Sequence, residues 1–129
     1  MKVLLDTHVF LWWITDDPQL SPRARRVVGA SANEVYFSAA SGWEIALKAR
    51  LGRLSVAGAD VESFIAEQAA ANGFQILPIT LTHALKTYSL PGHHNDPFDR
   101  LLVAQAATEE LALVSADRQL AAYKIRIVW

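Results

Sequence analysis

Cysteine is absent from the 129 residues. That excludes a disulfide scaffold, a thiolate zinc site and a cysteine nucleophile. The absence fits a reducing cytoplasm, and a cytoplasmic location is the expectation. No apolar run approaches the roughly 18 residues that a membrane span needs, so a soluble chain without membrane contact is expected. The opening Met1–Asp6 does not read as a signal peptide, because its apolar run is broken by Asp6 and again by His8 and no small-residue cleavage site follows. An excess of one charge is also missing. A formal net charge of −1 argues against a generic nucleic-acid coat, which reads as strongly basic. It does not exclude an enzyme acting on nucleic acid, since clustered carboxylates mask a basic rim. There is no internal repeat, low-complexity segment or linker.

What the chain does have is core material. At 52% hydrophobic and 19% charged residues it is neither disordered nor fibrous. Its length suits one domain spanning residues 1–129, with a core large enough to need no staple. Short β-branched runs alternate with helical patterns. Strands are predicted at Lys2–Leu5, Val35–Phe37, Gln75–Leu77, Ala112–Ser115 and Ile125–Val128. Between them, helices are predicted at His8–Ile14 with Thr7 as N-cap, from Ser21-Pro22 to Gly29, and from Ser38 or Ser41 to Leu51. Further helices run from Asp60 to Asn72-Gly73, over Thr82–Leu90, from Asp96-Pro97 to Glu110, and over Asp117–Tyr123. Strands separated by helices predict an α/β fold, a three-layer α/β/α sandwich around a mostly parallel sheet of about five strands. Most of Phe10–Ile14 belongs in a core. Adjacent Trp12 and Trp13 cannot share one helix face, which predicts an interface role for one of them.

In such sheets ligands sit at the carboxyl ends of the strands. Asp6 ends the first strand, Glu44 lies in the helix after the second, Asp117 follows the fourth, and Asp99 opens the helix after the polar loop Pro91–Asn95. Acids distant in sequence therefore fall on one rim. Two carboxylates about 4 Å apart repel by roughly 4 kcal/mol at an effective dielectric near 20. Such a cluster needs protons or a cation, and hard divalent ions take oxygen ligands. This points to phosphoryl chemistry with activated water.

Each acid also has a structural reading. Asp96 before Pro97 reads as a helix cap, with Asp99 as the other half of a capping box. Ser41-Gly42-Trp43-Glu44 matches a second box, and Asp117 reads as a cap for the last helix. Asp6, directly after a buried strand, is hardest to explain that way. His93 and His94 beside Asp96 lack zinc-ligand spacing and read as solvated loop residues or phosphate contacts. His8 orients Asp6, touches substrate, or makes a structural hydrogen bond. Arg23, Arg25, Arg26, Lys48, Arg50 and Arg53 read mostly as a solvated face, some of it a rim for phosphates.

Four segments then carry a resemblance over essentially the whole chain: Leu4-Leu5-Asp6-Thr7-His8, Ser41-Gly42-Trp43-Glu44-Ile45-Ala46-Leu47-Lys48, the run Asp96-Pro97-Phe98-Asp99-Arg100 to Ala106, and Leu113-Val114-Ser115-Ala116-Asp117. Their order and spacing resemble the PIN-domain ribonucleases, specifically the VapC-type toxins of toxin–antitoxin pairs. Asp-Pro-Phe-Asp-Arg is the most specific piece. The resemblance implies a Mg²⁺- or Mn²⁺-dependent endoribonuclease of PIN-like fold. Asp6, Glu44 and Asp99 would hold the metal, with Asp117 completing or tuning the site. Many relatives carry asparagine where this chain has His8. Ser115, His8, Thr7 and Asp96 are secondary candidates. The implied partners are RNA, a cognate antitoxin packed on helices near the active site, and a second copy in a homodimer. An exposed apolar surface on the first helices would suit the antitoxin. The competing readings are a non-catalytic PIN module that binds RNA or protein, and a receiver-type signalling domain. The receiver needs paired acids after the first strand, where Asp6 stands alone. A dehalogenase-type phosphatase wants Asp-x-Asp, and His8 fills its second place.

Overall fold

Val3, Leu4 and Leu5 of the first strand, β1 (Lys2–Leu5), are completely buried, and the pleat divides them between two cores. Val3 and Leu5 join Phe10, Phe37, Phe64, Phe74, Val114 and Val128 on one side. Leu4 joins Leu102, Val103, Leu113, Leu120 and Tyr123 on the other. A strand apolar on both faces belongs in a sheet covered on both faces. The computed structural model, which describes residues 1–56 and 60–129, shows that arrangement.

The remaining elements are α1 (Thr7–Ile14), α2 (Pro22–Gly29), β2 (Glu34–Ser38), α3 (Ala39–Arg50), α4 (Val61–Asn72), β3 (Gln75–Leu77), α5 (Leu81–Ser89), α6 (Pro97–Glu109), β4 (Ala112–Val114), a short 3-10 helix (Arg118–Ala122) and β5 (Ile127–Val128). The five strands are all parallel, in the order β3-β2-β1-β4-β5. From β1 the chain moves outward through β2 to β3, then returns to the other side of β1 for β4 and β5. The order therefore reverses between β1 and β4, and ligand crevices form at such reversals, outside the carboxyl ends. Among the described residues no helix is long and apolar enough to cross a membrane.

Several local expectations change. Asp6, not Thr7, caps α1: its Oδ1 accepts from the His8 backbone N–H at 2.9 Å. The Thr7 hydroxyl instead donates to Ser41 Oγ at 2.8 Å in the interior. Ser38 caps α3, which leaves Ser41 inside the helix and dissolves the proposed Ser41–Glu44 box. The last strand is only two residues long, because Tyr123 and its neighbours turn before the chain can pair. Trp12 and Trp13 pack partly against Trp129 and Phe74 respectively, and each keeps an exposed portion, which is compatible with the expected interface role for one of them. Among the described residues, α1 and α2 carry none of the exposed large apolar side chains; these include Trp43 and Leu47 on α3, Ile76 on β3, and Leu81, Leu85 and Tyr88 on α5.

Candidate active site

Asp6 leaves β1 at the reversal of strand order, and its backbone N–H still pairs with the Val114 carbonyl of β4 at 3.0 Å. Both carboxylate oxygens are held. Oδ1 caps α1, and Oδ2 accepts from the Ser115 hydroxyl at 2.7 Å, just beyond β4. Ser115 Oγ in turn accepts from the Asp117 N–H at 3.1 Å, so one buried hydroxyl joins the ends of two neighbouring strands. Burial raises the Asp6 carboxyl above its ordinary range, against the lowering effect of these two hydrogen bonds. The charge of Glu44 adds to the rise.

Glu44 reaches the same place from the second turn of α3. It is 4% exposed, which is unusual for this residue type. Its Oε2 accepts from Lys48, one turn further along the same helix. Its Oε1 has no partner, the sole such buried side-chain oxygen or nitrogen among the described residues. An orphaned carboxylate oxygen near other acids is a group that a cation would satisfy.

Asp99 sits in the first turn of α6. It is not half of a capping box. Asp96 caps α6 by accepting from the Phe98 and Asp99 N–H groups at 2.8 and 3.1 Å, but the Asp96 N–H donates to His94 Nδ1. The Asp99 side chain is thereby released toward the site. Its carboxyl is pushed up to about 7, first by burial, then by the negative charges of Asp6 and Asp96. Asp6, His8, Trp12, Asp99, Ala116 and Asp117 line one cleft of about 280 Å³. Asp117 caps the 3-10 helix through Oδ1, which accepts from the Gln119 N–H at 2.9 Å, and turns Oδ2 to His94.

The structure therefore brings Asp6, Asp99 and Asp117 to one cleft, with Ser115 between two of them, and buries Glu44 close enough for its charge to act on Asp6 and Asp99. Asp96 is a cap. His8 is largely exposed, with its ring 3.8 Å from Asp6 Oδ1 and tilted against Trp12. Three residues have roles that the sequence did not reveal. His94 is no solvated loop histidine: it is mostly buried, with Nε2 2.9 Å from Asp117 and 3.3 Å from Asp99. His93, its neighbour, stays exposed beside Tyr123. Lys48 belongs to Glu44 rather than to a solvated face. Arg100 ties down the loop that carries His94, donating to the carbonyls of Thr87, Leu90, Pro91 and His94 and to the Tyr123 hydroxyl. For Arg100 the sequence signal was the Asp-Pro-Phe-Asp-Arg run, and for Lys48 its i+4 spacing from Glu44. The arginine had a fixed place but no visible partner.

The donor set is all carboxylate oxygen, with one orphaned oxygen and two acids whose protons are held abnormally tightly. That set fits a hard divalent cation. His94, Asp99 and Asp117 also offer atoms within 4.8 Å of one another, a grouping in which a metal could sit.

Comparison with known proteins shows the family and the fold. The PIN domain family model matches residues 3–125. Ribonuclease VapC22 of Mycobacterium tuberculosis is 33% identical over 123 residues, covering 95% of this chain and 92% of that protein. Among solved structures, VapBC2 from Rickettsia felis bound to a DNA fragment from its promoter superposes with a TM-score of 0.74 at 14% identity, covering 98% of this chain and 97% of that one. DNA-bound VapBC from Salmonella typhimurium gives 0.66 at 19% identity, over 98% and 96%. At those identities the structural likeness speaks for the fold.

Proposed function

The chain belongs to the PIN domain family and is of the VapC type, and from that premise we propose that it is a divalent-metal-dependent endoribonuclease acting as the toxin of a toxin–antitoxin pair. The observation that carries the reading is Glu44 Oε1, buried without a partner beside Asp6 and Asp99 at the strand-order reversal. Asp6, Glu44 and Asp99 would hold Mg²⁺, or Mn²⁺ in its place, with Asp117 completing or tuning the set. A cation bound there supplies a more acidic water and neutralises charge building on the phosphate oxygens.

The chain's own residues do the rest. Ser115 and the His8 N–H fix Asp6 in one orientation, so no reorganisation is required when substrate arrives. Lys48 balances part of the charge on Glu44 and leaves Oε1 free. Asp99, open to the cleft, faces the incoming phosphodiester. Water adds to phosphorus in line and the bond to the 3′-oxygen breaks. The products are a 5′-phosphate and a 3′-hydroxyl, the latter taking up a proton. His8 and Trp12 line the cleft beside the acids, where their rings would stack on an adjoining nucleotide.

The test is cleavage of RNA by purified protein with Mg²⁺, with EDTA, and with Asp6→Asn or Asp99→Asn. Full activity in EDTA or in either variant refutes the mechanism. Metal binding without cleavage of any member of a broad RNA panel points to a non-catalytic PIN module instead. The antitoxin assignment is supported by the VapC relative and by fold neighbours solved as VapBC complexes. The exposed apolar residues of α3 and α5 offer surface both for that partner and for a second copy of the chain. Cytoplasmic residence follows from the proposed substrate.

A further inference from the structure

We propose that His94 is a positioning residue, locked in the tautomer that carries its proton on Nε2, which holds Asp117 and steadies Asp99 while being barred from binding the metal itself. The proposal rests on the metal-site reading above and deepens it.

A backbone group sets the tautomer. The Asp96 N–H is a donor and nothing else, and it points at His94 Nδ1 at 3.0 Å. Nδ1 must therefore present its lone pair. A proton there would set two N–H groups face to face. In the neutral ring the remaining proton lies on Nε2, and Nε2 faces only carboxylate oxygens: Asp117 Oδ2 at 2.9 Å and Asp99 Oδ2 at 3.3 Å. In that tautomer the ring donates from Nε2 to two acids.

The lock is well supported. Asp96 is held by its cap on α6. The His94 N–H donates to the Tyr123 hydroxyl at 3.1 Å, and Arg100 grips the carbonyls around it. His94 has 13% of its side chain exposed, so water cannot readily substitute for these partners.

A nitrogen that carries a proton cannot ligate a metal. Of the group His94, Asp99 and Asp117, only the carboxylates are then available to an ion. This keeps the donor set to oxygen and favours Mg²⁺ or Mn²⁺ over zinc, which prefers imidazole and thiolate. It also distinguishes the two acids. Asp117 has a donor on each oxygen, from Gln119 N–H and from His94, and is an oriented acid. Asp99 takes only the longer His94 contact and remains free to turn to the metal. Groups that orient ligands in this way typically change metal affinity by roughly 10- to 100-fold when removed.

The experiment has two arms on the full-length protein. In the first, nitrogen-15 NMR of the imidazoles, with His94 assigned by loss of its signals in His94→Gln, reads the tautomer without metal and then with saturating Mg²⁺. The expected result is the Nε2–H form in both. An Nδ1–H form, a doubly protonated ring, or loss of the Nε2 proton when Mg²⁺ is added overturns the proposal. This first reading needs no bound metal, so it stands or falls separately from the ribonuclease assignment. The second arm titrates Mn²⁺ calorimetrically into wild type, His94→Ala and His94→Gln, each shown folded by its thermal transition. Glutamine places an amide N–H near the position of Nε2. It should stay within about threefold of wild type, while alanine weakens Mn²⁺ binding roughly 10-fold or more. Wild-type affinity in His94→Ala, or a glutamine variant as impaired as alanine, overturns the proposal. Absence of Mn²⁺ binding to wild type refutes the metal reading itself.

Discussion

Replacing Asp99 by asparagine should make the metal-free protein more stable, by a margin that grows as pH rises from about 4 to about 7. In the fold this carboxyl is pushed from its ordinary 3.8 to about 7 by burial and by the charges of Asp6 and Asp96. Its folded form therefore holds a proton that the unfolded chain gives up near pH 4. Between those values the native state binds more protons than the unfolded state, so stability falls as pH rises from about 4 to about 7 and then levels off. At 1.36 kcal/mol per pH unit the full difference is about 4 kcal/mol. The side chain keeps 21% exposure, and solvent screening reduces the cost to about 2 kcal/mol. The substituted amide has nearly the shape of the acid, its oxygen still accepts from His94, and it carries no charge. In EDTA at pH 8, Asp99→Asn should melt roughly 8 °C above wild type, and the gap should close toward pH 4. Saturating Mg²⁺ should narrow the gap at pH 8 by stabilising wild type more than the variant. Urea denaturation of both proteins at pH 4 and 8, with EDTA and with Mg²⁺, measures all of this. A variant no more stable than wild type at pH 8 in EDTA, or equally stabilised at both pH values, would show that the acids are not in conflict.

Ser115→Ala removes the hydroxyl between Asp6 and the Asp117 N–H. Thermal melts should show a loss of about 1–3 kcal/mol, and RNA cleavage should fall by roughly 10- to 100-fold as Asp6 loses its fixed orientation. Lys48→Met keeps the aliphatic stem but strips Glu44 of its cation. Unfolding in EDTA should show a cost of about 1–3 kcal/mol, most of it recovered on adding Mg²⁺. Arg100→Lys keeps the charge and loses the fork that reaches five acceptors at once. Chemical denaturation should register a loss of roughly 3 kcal/mol that Mg²⁺ does not recover, because the loop rather than the acids has lost its support.

The sheet was legible because β1, β2 and β4 are short apolar runs ended by polar residues, and the carboxyl ends of parallel strands are where ligands gather. The fifth strand was overestimated. Ile125 is as apolar as Ile127, and nothing in composition says that the chain is still turning when it reaches Ile125. His94 was not legible at all. Its identity as a bridge depends on Asp117, 23 residues away, and on a backbone N–H whose direction is set by the start of α6. A pair of histidines on a Pro-Gly loop reads as solvated until Tyr123 and Arg100 are known to fold that loop inward. Lys48 failed for a related reason. Periodicity places it one turn from Glu44, but only burial of the acid turns that spacing into an obligatory pair.

A subtler difficulty concerns the acids themselves. Read along the chain, helix cap and metal ligand look like rival explanations, and each cap signature counts against chemistry. The folded site removes the rivalry. A carboxylate has two oxygens and about four lone-pair positions, while a cap uses one. Asp6 caps α1 with Oδ1 and remains at the centre of the cluster. Asp117 caps the 3-10 helix with Oδ1 and still offers Oδ2 to His94. The cap is what aims the acid: it fixes the carboxylate plane at a helix start, where the peptide dipoles favour negative charge and offset part of the repulsion among the acids. Asp99 and Glu44 supply the converse. Neither caps anything, and they retain the free oxygens that a cation would find first. The division between aimed acids and free acids is a property of local backbone geometry. It therefore predicts that Asp6→Asn, which preserves the cap, should leave α1 intact while removing the charge. Cleavage should be lost with helix content by circular dichroism unchanged, and a variant that unfolds α1 while the charge alone was removed would break this separation of roles.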